Sequence, residues 1–243
     1  MKNIIKKIIG QKLLGVMDYF RFPEQRKSWG GPLNGQEKRQ ALVAKLFKEL
    51  PIKAVIETGT FRGTTTEYFA KLTQVPIYTV EANQRLYGFS WIRLKKFHNV
   101  RLLQMDSRAA LRLLTQDGVF PKSGVFFYLD AHWGQDLPLA EELQQIFANW
   151  QKSWVYIDDF KIEDDAGYGY DDYGSGKSLT LEYISEIVKT YQISVFYPAA
   201  SSEEETGARR GSVLLANDPA LISELRAIDL LRAYPSQRVG DPS

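Results

Sequence analysis

The chain has 243 residues, 44% of them hydrophobic and 13% aromatic, which is enough for one large α/β domain with an added N-terminal segment. Its formal net charge of +2 is nearly balanced, so no nucleic-acid partner is predicted, and the absence of cysteine excludes disulfides, thiolate metal sites and a cysteine nucleophile. No apolar run reaches the roughly 18 residues of a membrane-spanning helix, so we expect a cytoplasmic protein.

The first 35 residues are predicted to be an extension to the domain formed by residues 36–243. Residues 1–20 place lysines among isoleucines and leucines at helical spacing, which indicates an amphipathic helix. We expect this helix to pack on the domain or on a partner, and the alternative is that it lies on an anionic membrane surface. Residues 21–35 contain two prolines and three glycines and are interpreted as a linker or lid.

Apolar runs and helical periodicity predict that strands and helices alternate five times along the domain. The predicted helices span residues 36–50, 64–72, 84–97, 108–115, 138–150 and 178–190, with a last one beginning near Pro219. The predicted strands span residues 54–56, 76–80, 100–104, 124–129, 154–157, 193–197 and 212–216. The alternation favours a doubly wound, mostly parallel α/β sheet with helices on both faces, and the last two strands favour an antiparallel hairpin at one end.

A glycine-containing turn follows the first predicted strand. Glu57, Gly59 and Gly63 have the spacing E-x-G-x-x-x-G, and Thr64 with Glu67 has the spacing of a capping box at a helix start. A strand, glycine turn and helix N-terminus in this order bring backbone N–H groups to a ligand at the carboxyl edge of a sheet. The spacing differs from the dinucleotide fingerprint G-x-G-x-x-G.

Each of the first five predicted strands ends in an acid. The acids are Glu57, Glu81, Asp106, Asp130 and the pair Asp158-Asp159. The carboxyl ends of parallel strands share one edge, so these side chains should gather in one crevice, where crowded carboxylates need a cation. Oxygen ligands of this kind suit a hard cation such as Mg²⁺. An aspartate after a strand also caps helices, and for Asp106 this alternative stays open.

Three motifs together resemble one enzyme family. ETGTFRG at residues 57–63, LDAH at 129–132 and IDDF at 157–160 are similar to the metal-dependent O-methyltransferases of the macrocin and novobiocin-sugar type and related cephalosporin-cluster proteins. These are class I S-adenosylmethionine-dependent methyltransferases, so the resemblance implies a seven-stranded sheet. It covers about residues 57–160, and outside them only the fold is expected to be similar.

The resemblance implies a role for each site residue. It places Glu57, Gly59, Thr60 and Gly63 at the amino-acid end of S-adenosylmethionine, Glu81 at the ribose, and Asp106 and Ser107 at the adenine. It implies that Asp130, Asp158 and Asp159 hold Mg²⁺ or another hard divalent cation.

His132 stands where many members of that family carry an aspartate proposed as the base. A neutral imidazole there can take a proton from a substrate hydroxyl, because its ordinary pKa lies near working pH. A histidine that satisfies local backbone groups and a fourth metal ligand remain alternatives. Together with Asp130, His132 is our candidate for the catalytic residues.

Loops are predicted to complete the site. The sequence GSGKS at residues 174–178 lacks the first glycine of a phosphate loop, and residues 161–177 are interpreted as a mobile flap or, alternatively, a solvated loop. Trp133, Arg209 and Arg210 fall on the same edge of the sheet, where the arginines either meet an anionic substrate or pair with the acids at 203–205.

The sequence therefore predicts an S-adenosylmethionine- and metal-dependent O-methyltransferase acting on a hydroxyl of a small, sugar- or polyol-containing acceptor. The alternatives are an NAD-dependent oxidoreductase and a non-catalytic nucleotide-fold binding module. The expected partner is the acceptor, the N-terminal helix is a candidate contact with a membrane or protein, and a homo-oligomer stays open.

Overall fold

A computed structural model of the chain describes residues 10–132, 136–174 and 176–234. These residues form one eight-stranded sheet with the strand order β3-β2-β1-β4-β5-β7-β6-β8. The strands are β1 (Ala54–Thr58), β2 (Ile77–Val80), β3 (Val100–Leu103), β4 (Ser123–Leu129), β5 (Gln151–Asp158), β6 (Ser194–Pro198), β7 (Ser212–Ala216) and β8 (Leu231–Ala233). Strands β1 to β5 are parallel, and the last three pair antiparallel at one end.

Helices join the strands and cover the sheet. The described α-helices are α1 (Gln11–Arg21), α2 (Glu37–Glu49), α3 (Thr64–Leu72), α4 (Gln84–Leu94), α5 (Ser107–Gln116), α6 (Leu139–Asn149), α7 (Ser185–Thr190) and α8 (Pro219–Arg226). Alternate residues of the central strands enter two separate hydrophobic clusters. One cluster includes α5 and α6, and the other includes α2, α3 and α8, so both faces of the sheet are covered.

The predicted mostly parallel α/β sheet is confirmed, and the sheet has one strand more than the seven expected. Strand β8 has three residues and pairs antiparallel with β6. A strand this short carries no apolar alternation that distinguishes it from a loop.

The predicted helix over residues 178–190 is wrong in its first half, because only Ser185–Thr190 is helical. The backbone of Leu179 bonds elsewhere: its N–H donates to the Asp171 carbonyl at 2.9 Å, and its carbonyl accepts from Lys161 at 2.8 Å. Tertiary hydrogen bonds thus replace the bonds that a helix would need.

The predicted start of α3 at Thr64 is confirmed, but the predicted capping box is wrong. The residue before the helix is Gly63 in the left-handed conformation, and it provides no side-chain cap. Glu67 instead accepts hydrogen bonds from Arg93 at 2.8 Å and Lys96 at 3.0 Å. These cations draw the carboxylate away from the helix end.

The N-terminal helix α1 packs against α4. The two backbones approach closely, because a Cβ atom on Gly15 would lie 1.8 Å from the carbonyl oxygen of Arg85. The opposite side of α1 exposes Leu13, Met17 and Phe20. Residues 1–9 lie outside the described part of the chain, so a membrane or protein contact through them stays a prediction. None of the described helices is long and apolar enough to cross a membrane.

The segment predicted as a linker or lid lies against the carboxyl edge of the sheet. It forms 3₁₀-type turns over Pro23–Gly30 and Pro32–Gly35, each interrupted by non-helical backbone. Leu33 is buried, and its N–H donates to the Thr65 hydroxyl at 3.2 Å. The segment is therefore anchored beside the helix start that follows β1.

Candidate active site

The turn between β1 and α3 approaches the end of β4 closely. Gly59 has φ +86°, and a Cβ atom there would lie 2.2 Å from the carbonyl oxygen of Asp130. Any other residue would be strained and would also clash with the β4 backbone. The hydroxyls of Thr60 and Thr79 lie 2.6 Å apart and join the turn to β2.

Glu57 lies beneath this turn. It is 1% exposed and accepts hydrogen bonds from the hydroxyls of Thr66 and Thr79. Burial raises the pKa of Glu57 to about 7. Glu57 and Gly63 are not among the residues that line the cavity beside the turn, so their predicted contact with the cofactor stays a prediction.

A cavity of about 450 Å³, here called the first cavity, opens beside the turn. Its lining includes Gly59, Phe61, Glu81, Leu86, Met105, Asp106, Ser107 and Ala131. The carboxylate of Glu81 is fixed on the wall, because it accepts from the backbone N–H of Phe61 at 2.7 Å and of Asn83 at 2.8 Å. Its remaining lone pairs are available to a ligand that donates hydrogen bonds.

Asp106 both caps α5 and lines the first cavity. Its carboxylate accepts from the backbone N–H groups of Arg108 at 3.0 Å and Ala109 at 3.3 Å. Hydrogen bonds from the Arg108 side chain hold the pKa of Asp106 below its usual value. Capping and cavity lining are therefore compatible at this residue.

Glu142, a fully buried carboxyl on α6, was not predicted from the sequence. Its oxygens make no hydrogen bond of good geometry among the described residues, although the hydroxyls of Ser107 and Thr58 lie close enough to favour the charged form. Burial outweighs them and raises the pKa of Glu142 to about 7. The sequence signal was an acid on the apolar face of α6, between Leu139 and Ile146.

We expect Glu142→Gln to raise the free energy of unfolding by about 1–3 kcal/mol at pH 8. At this pH, which is above the pKa of Glu142 in the folded state, the wild-type protein must bury a charged carboxylate. The wild-type protein should lose stability as pH rises from about 4.5 to 7, because the folded state holds the proton more tightly than the unfolded state. Urea unfolding at pH 5 and pH 8 measures this. An equal stability difference at the two pH values would contradict the assignment.

A second cavity of about 320 Å³ lies next to the first. It is lined by Trp29, Asn34, Phe61, Asp130, His132, Asp159, Asp171, Ala208 and Arg210. Phe61 lines both cavities, and Asp130 of the second adjoins Ala131 of the first. A smaller cavity of about 40 Å³, which includes Gly59 and Trp29 in its lining, lies between them.

His132 is 4% exposed and lines the second cavity. Neither ring nitrogen has a hydrogen-bond partner among the described residues. Burial lowers the pKa of His132 to about 4, and the charges of Asp158 and Asp171 and the nearby backbone of Leu129 oppose this only partly. The imidazole is therefore neutral at neutral pH and can accept a proton.

Asp158 faces a cation supplied by the chain itself. It forms an ion pair with Arg39, and the two side chains are 3% and 1% exposed. Asp158 also accepts hydrogen bonds from the hydroxyl of Tyr128 and the amide of Asn34. The role of Arg39 was not predictable from a motif, because Arg39 lies 119 residues from Asp158 in the sequence.

Asp159 points to a different partner. Its φ of 53° turns the chain, and its carboxylate accepts from Nε of Arg210 at 2.7 Å. Arg210 also pairs with Asp171.

Two further residues were predicted on this edge of the sheet. Arg209 donates to the backbone carbonyl of Glu205 at 3.1 Å, and Trp133 lies outside the described residues.

No arginine among the described residues forms an ion pair with Asp130. Burial, and then the charges of Asp158 and Asp159, raise the pKa of Asp130 well above its usual value. Within the described parts of the chain, no three acidic or histidine side chains are arranged to hold a metal ion. The predicted three-carboxylate Mg²⁺ site does not fit this arrangement, because arginines already pair with two of its three ligands.

No protein-family model matches the sequence, and no curated protein matches it. Solved structures do resemble it. A putative O-methyltransferase from Klebsiella pneumoniae has a TM-score of 0.51 at 16% identity, covering 89% of this chain and 95% of that chain. An O-methyltransferase from Bacillus cereus in complex with SAH has a TM-score of 0.53 at 11% identity, covering 74% and 80%.

A third similar structure is the O-methyltransferase TomG from Streptomyces achromogenes, involved in tomaymycin synthesis and solved with SAM. It has a TM-score of 0.51 at 14% identity and covers 74% of this chain and 78% of that chain. The chain therefore has the α/β fold of S-adenosylmethionine-dependent methyltransferases.

Proposed function

We propose that the chain is an S-adenosylmethionine-dependent O-methyltransferase that acts on a hydroxyl of a small, sugar- or polyol-containing acceptor. The observation that carries the proposal is the contact between the two cavities, with Phe61 in both walls and a buried neutral histidine in the second. A donor in the first cavity and an acceptor in the second would meet beside residues 130–132. Two of the similar structures contain SAM or SAH.

The first cavity has the chemistry that this cofactor requires. The carboxylate of Glu81 is positioned to accept from ribose hydroxyls, and the backbone at Gly59 lies close enough to support the amino-acid end. Met105 offers an apolar face, and Asp106 and Ser107 offer polar contacts at the cavity edge. When bound, the cofactor supplies an electrophilic methyl group.

The second cavity suits an acceptor with several hydroxyls. Trp29 and Phe61 provide aromatic surfaces, and Asp171 and Arg210 provide acceptors and donors. His132 would take the proton from the attacking hydroxyl through a free ring nitrogen and later release it to solvent. Asp130, which also lines the second cavity, would orient that hydroxyl.

An NAD-dependent oxidoreductase is not favoured, since the turn after β1 lacks the glycine spacing of the dinucleotide fingerprint. A non-catalytic binding module would use the first cavity alone. The free histidine in the second cavity is what favours an enzyme over such a module.

Cofactor binding can be tested by calorimetric titration with S-adenosylhomocysteine. We expect Glu81→Ala to weaken binding by about 1–3 kcal/mol, because ribose hydroxyls would lose a fixed buried acceptor. Glu141→Ala is the matched control, as this glutamate is exposed on α6, and it should leave affinity unchanged. Equal affinity in the wild-type and Glu81→Ala proteins would contradict the assignment of the first cavity.

Methyl transfer is then measured with radiolabelled cofactor and a set of sugars, polyols and their glycosides. Labelled product with any of them supports the proposal. Cofactor binding without transfer to any acceptor would favour the non-catalytic module.

A further inference from the structure

Asp130, Asp158, Asp159 and Asp171 lie at the end of the sheet beside the second cavity and are here called the carboxylate edge. We infer that the guanidinium of Arg39 supplies the positive charge at this edge for which the sequence predicts a divalent metal ion. The inference rests on the proposed function only in placing an acceptor beside this edge. Metal binding at Asp158 and Asp159 can be measured without any methyl transfer, so it tests the roles of Arg39 and Arg210 independently of the proposed function.

Asp158 has no free acceptor position for a metal. Its Oδ1 accepts from Nη1 of Arg39 and from the backbone N–H of Asp159 at 2.7 Å. Its Oδ2 accepts from the hydroxyl of Tyr128 and from the amide of Asn34 at 3.3 Å. A carboxylate offers about four lone-pair positions, and these four donors use them.

Arg39 is held in place from several sides. Its Nη2 donates to the carbonyl oxygens of Arg210 at 2.6 Å and Gly211 at 2.8 Å. The backbone N–H groups of Lys38 and Arg39, at the start of α2, both donate to the carboxylate of Glu205 at 3.0 Å. An incoming ion would have to break these bonds to displace the guanidinium.

A second arginine neutralises the outer part of the same edge. Arg210 bridges Asp159 and Asp171, and its backbone N–H donates to the side chain of Gln36 at 2.7 Å. Four carboxylates, at Asp130, Asp158, Asp159 and Asp171, thus face two fixed positive charges. Both arginines would repel a divalent cation placed among them, which offsets part of the attraction of the carboxylates.

The arrangement also defines what the acceptor meets. In the described part of the chain, Asp130 is the acid of this edge that pairs with no arginine, and it lines the second cavity together with His132. A hydroxyl that donates to Asp130 would be oriented by the chain, with Arg39 fixing the charge behind it.

Manganese binding tests the inference directly, with free Mn²⁺ measured by electron paramagnetic resonance. We expect the wild-type protein to bind Mn²⁺ with a dissociation constant above about 1 mM. Arg39→Met should bind at least about tenfold more tightly, because it frees an oxygen of Asp158 and removes a positive charge. The double variant Arg39→Met/Asp158→Asn should lose the gain.

Arg210→Met provides a second test in case Arg39→Met does not fold, since Arg210 is more exposed and its loss frees Asp159 and Asp171. Tight Mn²⁺ binding by the wild-type protein that Asp158→Asn abolishes would overturn the inference. Unchanged Mn²⁺ affinity in the arginine variants would also overturn it. Binding of S-adenosylhomocysteine is measured in parallel, and its absence would overturn the proposed function while leaving the manganese result to decide this one.

Discussion

Replacing His132 with alanine is expected to lower the rate of methyl transfer by about 10²–10⁴-fold, the usual contribution of a positioned general base. The imidazole is buried and neutral, so its loss removes a proton acceptor from the second cavity. Single-turnover measurements with saturating cofactor report the effect on the transfer step. The affinity for S-adenosylhomocysteine should not change, because His132 does not line the first cavity.

The matched control for this variant is His98→Ala, which removes the other histidine of the chain from an exposed position. It should retain the wild-type rate. A His132→Ala protein that transfers methyl groups at the wild-type rate would contradict the role of the imidazole. The proton would then have to pass to Asp130.

The Arg39→Met variant is expected to lose about 3–5 kcal/mol of unfolding free energy, because it leaves Asp158 buried without a counter-charge. Denaturant unfolding at pH 7 measures the loss. Adding Asp158→Asn should recover part of it, since the remaining side chain is neutral. A methionine of similar length keeps the packing of the aliphatic stem.

Arg108→Met is the control for the Arg39 variant, because Arg108 also pairs with acids but in a more exposed setting. Its loss should cost no more than about 1 kcal/mol, as for surface ion pairs. Equal losses in the two variants would show that the buried pair contributes no more than an exposed one.

The sheet was predictable because its central strands are buried on both faces and therefore form continuous apolar runs. The edge on which the acids gather followed from the parallel strand order. Glu81 follows the end of β2, Asp106 lies between β3 and α5, and both line the first cavity.

The local direction of each acid was not predictable. Strand β1 continues through Thr58, so Glu57 is still a strand residue, and its side chain bonds Thr66 and Thr79 under the turn. Adjacent acids at the end of β5 diverge, because Asp159 adopts a positive φ. Sequence patterns place an acid at an edge but do not fix which way its carboxylate points.

The sequence pattern also did not predict which cation balances the acids at the strand ends. Crowded carboxylates require positive charge, and this requirement was read correctly from the strand ends. Whether a metal ion or an arginine supplies the charge depends on tertiary packing. Nothing near Arg39 in the sequence indicates that α2 delivers it to the end of β5.

The hydrogen bonds that join distant parts of the chain at the carboxylate edge also affect how the protein folds. Arg39 reaches Asp158 over 119 residues, Lys38 reaches Glu205 over 167, and Gln36 reaches Arg210 over 174. Contacts this distant along the chain require large loops to close, which is slow compared with forming local structure. We therefore expect the acceptor side of the site to assemble late, after the chain has brought its first and last thirds together. A nascent or truncated chain that already holds the β1–α3 turn would still lack the second cavity.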